Sequence, residues 1–237
     1  MSRQILYGKK KIRFDVVQSK RIKTSEVIVE PYRVLVRSPY SKSLQEIDSI
    51  VQRKASWIVK KQNEYEQIKN QTKRPTFAPD SRLPYLGNLL PLRIINRHQS
   101  NKFRFINGEF IVTLRSSKLD KKRVKSLYES WLSDKAPKIL FPIVRKYSRV
   151  LRVKPRSVKI KNLRARWGSA TKNNILNLNV YLIKAPENVI SYIVLHELCH
   201  FKIRDHSDHF WDLVSTHMPD YKDKADWLSK NFMNTLE

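Results

Sequence analysis

Apolar and polar residues alternate along the segment 4–37, which is rich in Val, Ile, Tyr and Arg. Alternation with a period of two residues is typical of strands that have one buried and one solvated face. Over 43–67 the apolar residues instead recur every three or four positions, which is the spacing of a helix. Strand-like runs return over 89–95, 103–106 and 110–114. The first half of the chain is therefore predicted to contain antiparallel strands and one long helix, 43–67.

The second half of the chain has a mainly helical pattern. Residues 120–149 predict one long helix or two shorter ones, because Pro142 marks either a kink or a new start. Strands are predicted at 158–162 and 175–182 from their runs of apolar residues. A further helix is predicted over 187–204, where neither Gly nor Pro interrupts an apolar run.

These elements predict an α+β fold in two parts. A boundary near residue 116 separates a β-rich basic N-terminal region, 1–116, from a second domain, 117–237. With 237 residues and 41% hydrophobic content, the chain is long enough to bury a core. A single cysteine excludes an intramolecular disulfide framework. The sequence contains neither a recognisable secretory signal nor an apolar run long enough to cross a bilayer, so we expect a cytoplasmic protein.

The net charge of +27 is unevenly distributed along the chain. Residues 1–184 hold 43 Lys and Arg against 12 Asp and Glu, whereas residues 185–237 hold 5 against 9. An excess of this size attracts polyanions by counterion release, although it can also form a solvated surface that only keeps a protein soluble. We therefore treat nucleic acid as a candidate partner. The candidate contacts form the basic run Lys121, Lys122, Arg123 and Lys125.

The most specific motif lies inside the predicted helix 187–204 and has the pattern H-E-x-x-H, from His196 to His200. On a helix these two histidines are one turn apart on the same face, so both imidazoles can bind one zinc ion. Glu197 lies about 100° round the helix, where its carboxylate can reach a water on the metal. Two core histidines and a glutamate without such a role would be costly on an apolar helix. The motif therefore indicates a metal site.

A catalytic zinc usually has three protein ligands. The motif supplies two histidines, so a third ligand must come from elsewhere in the chain. The segment 205–207 predicts a turn into another helix, with Ser207 as its N-cap. His206 lies in that turn, where it can fold back toward the metal. His209 is the competing third ligand, and Asp208 and Asp212 are weaker alternatives. Cys199 is expected to be a buried thiol rather than a ligand.

Several short motifs together resemble those of one known family. They are His196–His200 followed by His206 and Phe210-Trp211, the upstream segments Arg166-Trp167-Gly168-Ser169 and Ile175–Asn179, and in the first half Trp57-Ile58 and Tyr85-Leu86-Gly87. In these residues the chain resembles the YgjP-like metallopeptidases, relatives of the SprT-like zinc proteases, over nearly its whole length. Two positions depart from that pattern: Ala170 stands where the family usually has Cys, and His209 where arginine or another residue is common.

The resemblance implies a compact zincin-type catalytic core in residues 117–237. It implies one zinc ion per chain, held by His196, His200 and His206, with Glu197 as the general base. In the related proteases the strand that corresponds to 175–179 can pair with an extended substrate.

Polar residues upstream of the motif are candidate cleft residues. Arg164 and Arg166 could stabilise an oxyanion or a phosphate, or could belong to the general basic surface. Asn177 and Asn179 alternate with apolar neighbours, so they could contact a substrate that pairs with their strand. Trp167 is expected to pack in the core.

The leading functional hypothesis is a zinc-dependent metallopeptidase that acts on proteins or peptides and is associated with nucleic acid. A second hypothesis is a metal-dependent nucleotide phosphohydrolase, in which the same activated water attacks phosphorus. A third is a nucleic-acid-binding module with a structural zinc. The intact Glu197 counts against this third hypothesis, because a structural site needs a fourth ligand and no general base. The sequence does not choose between peptide and phosphoanhydride bonds.

Overall fold

The computed structural model has a mixed α+β fold with three small sheets, as the sequence predicts. It divides into two compact units, 1–72 and 73–237. The described residues are 2–19, 23–30, 33–71, 75–96, 99–163 and 166–236. Within them, every helix is too short or too polar to cross a membrane.

The first unit consists of a four-stranded sheet and two helices. Its elements are β1 (Ser2–Tyr7), β2 (Lys10–Gln18), β3 (Glu26–Glu30), β4 (Arg33–Ser38), α1 (Leu44–Arg53) and α2 (Ala55–Gln71). The strand order is β1-β2-β4-β3, and β2 and β4 are parallel while the other two pairs are antiparallel. The sheet is thus mixed rather than purely antiparallel, because β3 lies at the edge and β4 returns between β2 and β3.

The predicted helix 43–67 is two helices that meet at Lys54, whose φ of −95° and ψ of 4° end α1. Ser43 caps α1 in a capping box with Glu46. The apolar face nevertheless continues across the break, since Val51, Ala55 and Ile58 are all buried in one core with the inner face of the sheet. This continuity explains why residue spacing alone predicted one helix.

The second unit contains the remaining two sheets and most of the helices. Its first part is β5 (Arg82–Tyr85), β6 (Asn88–Ile95), β7 (Lys102–Ile106), β8 (Glu109–Thr113) and α3 (Lys121–Val150). Its second part is β9 (Ser157–Lys161), β10 (Gly168–Ala170), β11 (Ile175–Asn179), a 3-10 helix (Val180–Lys184), α4 (Glu187–Cys199), α5 (Asp208–His217) and α6 (Tyr221–Leu236). Helix α3 is continuous, with Pro137 and Pro142 inside it.

The chain divides after Thr72 rather than at the predicted boundary near residue 116. The strands β5–β8 belong to the second unit because their apolar faces pack against α3. Phe110 of β8 lies with its ring centroid 5.2 Å from that of Trp131 and 5.8 Å from that of Tyr128. Both α3 residues are part of the same buried core as α4.

Strand β11 lies in the centre of its sheet, which has the order β10-β11-β9. It pairs antiparallel with β10 and parallel with β9, so it has no free edge for the substrate pairing that was expected from the sequence. It is also shorter than the predicted 175–182, because the chain turns into the buried 3-10 helix Val180–Lys184 after Asn179. Helix α4 likewise ends before the predicted residue 204, at Cys199, with His200 as its C-cap.

Candidate metal centre

Three histidines converge at the end of α4. His196 and His200 lie one turn apart on this helix, and His206 folds back from the linker that joins α4 to α5. One ring nitrogen from each lies within 4.8 Å of the other two, and the Nε2 atoms of His196 and His206 are 3.1 Å apart. The first two side chains are partly buried and His206 is exposed. The structure therefore brings together the three side chains that the sequence proposed as ligands.

This arrangement fits a bound metal ion. Two nitrogens that each lie 2.0–2.1 Å from one tetrahedral zinc are about 3.3 Å apart, close to the separation of the His196 and His206 nitrogens. His200 Nδ1 lies 3.1 Å from the carbonyl oxygen of Ile203, which leaves its Nε2 for a metal. The buried Nδ1 of His196 has no hydrogen-bond partner among the described residues. Three imidazoles are a donor set that suits zinc.

The electrostatic environment keeps the two helix imidazoles, His196 and His200, neutral. Burial, followed by the neighbouring His200 and His206, lowers the pKa of His196 to about 3. Burial also lowers the pKa of His200, although its hydrogen bond to Ile203 acts in the opposite direction. A neutral imidazole has a lone pair for a metal ion, so at neutral pH the two helix histidines are in the ligating form.

Glu197 faces the small sheet beside the histidines. Burial raises the pKa of its carboxyl group to about 7, against the opposing effects of a hydrogen bond from the Ala170 backbone and the charge of Arg166. Gly168 in β10 allows the close approach, because a Cβ atom there would lie 2.8 Å from Glu197 Cγ. A carboxyl group that titrates near neutral pH can both accept and return a proton.

Aromatic rings of α5 support the three imidazoles. Phe210, which is fully buried, stacks on His200 with 4.5 Å between ring centroids and an interplanar angle of 23°. It packs edge-to-face against the rings of His196 and His206, with 4.9 Å between the ring centroids in each pair. Trp211 stacks on His206 at 5.6 Å. In the sequence these two residues stood out only as part of the motif that resembles the known family, and no role beside the histidines was predicted for them.

The other predicted cleft residues are placed differently. His209 is exposed in the first turn of α5 and is not part of the histidine cluster. Arg166 is exposed and near enough to Glu197 to affect its pKa, and Arg164 lies outside the described residues. Cys199 is buried, and burial raises its pKa to about 12. Trp167 is buried in the core of the second unit, as predicted.

Asn177 and Asn179 are buried and use their amides inside the protein. Asn179 Nδ2 donates to the carbonyl oxygens of Leu163 and Arg166 at 2.6 and 2.9 Å. Asn177 Nδ2 donates to Ser169 Oγ at 3.1 Å. Their predicted role as substrate contacts is therefore replaced by a structural one, because a central strand has no free edge for a substrate.

The segment 23–231 matches the family model described as YgjP-like, metallopeptidase domain. No curated protein sequence matches the chain. Among solved structures, it is similar to the metallopeptidase zymogen abylysin of Pyrococcus abyssi, with 21% identity and a TM-score of 0.37 over 41% of this chain and 99% of that one. It is also similar to the zymogen jannalysin of Methanocaldococcus jannaschii, with 25% identity and a TM-score of 0.36 over 41% and 97%. Because the family model spans most of its length, the chain belongs to the YgjP-like metallopeptidase family.

Proposed function

We propose that this protein is a zinc-dependent metallopeptidase in which His196, His200 and His206 hold one zinc ion and Glu197 is the general base. The observation that carries the proposal is the convergence of three imidazole nitrogens within 4.8 Å at the end of the helix that also carries Glu197. Membership of the metallopeptidase family supports a peptide bond as the bond that is broken.

Zinc, when bound, supplies a Lewis acid that lowers the pKa of a water ligand toward neutrality. Glu197 accepts a proton from the attacking water and returns it to the leaving amine. Burial raises the pKa of this carboxyl group, which makes it a stronger proton acceptor than an exposed glutamate. The hydrogen bond from the Ala170 backbone and the contact with Gly168 hold its carboxyl group in place.

The substrate is a polypeptide that lies extended along β10. This strand is at the edge of its sheet, and among the described residues only β11 pairs with it. The free edge of a strand binds an extended peptide through backbone hydrogen bonds. Gly168 of this strand lies next to Glu197, since a Cβ atom there would be 2.8 Å from Glu197 Cγ, so a peptide on this edge would pass beside the general base.

The test combines a metal assay with parallel turnover assays on an unstructured protein and on nucleoside triphosphates. We expect about one zinc ion per chain and hydrolysis of the protein substrate. Glu197→Gln should keep the metal and lose at least about a hundredfold in turnover. Hydrolysis of the triphosphates alone would instead support the phosphohydrolase hypothesis. Bound zinc with turnover of neither substrate would support a structural metal.

We also propose that the protein binds nucleic acid, through the basic start of α3. Lys121, Lys122 and Arg123 are exposed in the first turn of this helix, which contains no acidic residue. The positive end of the helix dipole repels cations in the first turn. The phosphate groups of a nucleic acid would offset this repulsion.

The test measures DNA affinity as a function of salt concentration. We expect binding with little sequence preference, and a flatter salt dependence after four changes to Ala, at Lys121, Lys122, Arg123 and Lys125. The matched control removes four charges from the other end of the same helix, at Lys138, Arg145, Lys146 and Arg149. Equal effects of the two sets would show that net charge alone causes the binding. No measurable affinity at low salt would contradict the proposal.

A further inference from the structure

Five aromatic rings form a closed circuit on one side of the histidine cluster. His206 stacks on Trp211 at 5.6 Å and 25°, and Trp211 stacks on Tyr221 at 5.3 Å and 15°. Tyr221 stacks in turn on Tyr192 at 6.4 Å and 25°. Tyr192 meets His196 edge-on at 5.8 Å, and His196 lies 5.1 Å from His206. The circuit therefore begins and ends at proposed metal ligands.

The rings of the circuit differ in how firmly the backbone holds them. Tyr192 is only 4% exposed and lies one turn before His196 on α4, so the core fixes both rings. His206, by contrast, is exposed and belongs to the non-helical linker before α5. Of the three proposed ligands it is the one whose position a helix does not determine. Its ring plane follows that of Trp211, on which it stacks.

Tyr221 is the one member of the circuit that comes from α6. It lies between Trp211 and Tyr192, with its ring nearly parallel to both. A flat ring in this position prevents Trp211 from tilting away from the imidazole. Offset stacked rings of this kind prefer a defined separation and angle, which an aliphatic side chain does not impose.

We infer that Tyr221 is a positioning residue of the metal site: it fixes the plane of Trp211, which holds the His206 imidazole against the other two histidines. The inference rests on the proposed function, because it assumes that the histidines bind zinc. Helix α6 carries none of the three proposed ligands, but through Tyr221 it would affect the affinity of the site for zinc. Residues that orient metal ligands typically change metal affinity by about 10- to 100-fold when they are replaced.

The experiment uses the full chain after removal of metal, and measures zinc affinity by competition with a chromophoric chelator. Tyr221→Leu keeps an apolar side chain but removes the flat ring, so we expect affinity to fall at least about tenfold. Tyr221→Phe keeps the ring and should bind zinc as the wild type does. The visible spectrum of the cobalt-substituted protein should change in the Leu variant and not in the Phe variant, because it reports ligand geometry.

The control for general loosening of α6 is Leu228→Ala, which opens a cavity in the buried core on the same helix. We expect it to lower the unfolding temperature of the metal-free protein without changing zinc affinity. Equal loss of affinity in this control, or an equal loss in Tyr221→Phe, would overturn the role of the stacked ring. Normal affinity in Tyr221→Leu would overturn it too, while the proposed function would stand. A wild-type protein without zinc affinity would overturn both.

Discussion

Gly168 and Glu197 lie so close together that no side chain fits between strand β10 and helix α4. A Cβ atom at residue 168 would lie 2.8 Å from Glu197 Cγ and 3.1 Å from its Oε1 atom. Glycine is therefore required here for close approach, not for an unusual backbone angle. A single methyl group added at residue 168 would therefore change the distance between the proposed substrate-binding edge, β10, and the proposed general base, Glu197.

We predict that Gly168→Ala loses about ten- to a hundredfold in kcat/KM and retains its zinc. The added methyl group displaces the Glu197 carboxyl group, and small misplacements of a catalytic group have effects of this size. The three atoms nearest to the added methyl group all belong to Glu197 and none to a histidine, so the metal should stay. The zinc content and the unfolding midpoint of the same variant are the controls, because a general loss of structure would lower both. Unchanged turnover in the Gly168 variant would show that the position of Glu197 is not critical.

We predict that His206→Ala loses most of its zinc affinity, whereas His209→Ala keeps it. His206 Nε2 lies 3.1 Å from His196 Nε2, while His209 is exposed on the first turn of α5, outside the cluster. Zinc content after dialysis, together with turnover, distinguishes the two variants. Zinc loss in the His209 variant alone would reverse the assignment of the third ligand.

We predict that Asn179→Ala destabilises the protein by about 2 kcal/mol or more, because it leaves buried backbone groups without their partners. Asn179 accepts a hydrogen bond from Tyr181 N and donates to the carbonyl oxygens of Leu163 and Arg166. Denaturant unfolding measures the loss, and Asn173→Ala, in an exposed turn, is the control. A variant with normal stability and a raised KM would favour the substrate-contact role instead.

We predict that the wild-type protein gains stability relative to Lys184→Met as the pH rises from about 8 to 10.5. Burial, only partly offset by Glu129, lowers the pKa of Lys184 to about 8 from its usual 10.5. Within this window the unfolded chain binds more protons than the folded protein, so unfolding becomes less favourable as the pH rises. Below pH 8 the folded protein holds the buried charge, and the Met variant should be the more stable one.

Unfolding midpoints of the two proteins across this pH range provide the measurement. Exposed lysines titrate in both proteins alike, so the difference between them isolates Lys184. A difference that does not vary with pH would contradict a lowered pKa. The ammonium group lies 4.2 Å from the Tyr181 ring centroid, and a strong cation–π contact would be the physical cause of such a result.

Local sequence patterns were enough to predict the features of the site that depend on local geometry. The helix period places His196 and His200 on one face, whatever the rest of the chain does. The predicted turn at 205–207, with Ser207 as the N-cap of the next helix, made His206 the candidate that could fold back, although the helix before it ends at Cys199 and not at 204. Buried positions such as Trp167 and Cys199 were also predictable, because their polarity and spacing are local properties.

Tertiary packing, in contrast, determines which strand borders the site and which distant ring supports it. Alternation shows which face of a strand is buried but not which strands lie beside it, so Asn177 and Asn179 gave no sign that β11 is central. For the same reason, local patterns did not predict the parallel pairing of β2 with β4 or the division of the chain after Thr72. Tyr221 had no sequence signal, because its place between Trp211 and Tyr192 depends on how α6 packs. These relationships depend on packing between residues that are distant in the sequence, and a local sequence pattern does not predict such packing.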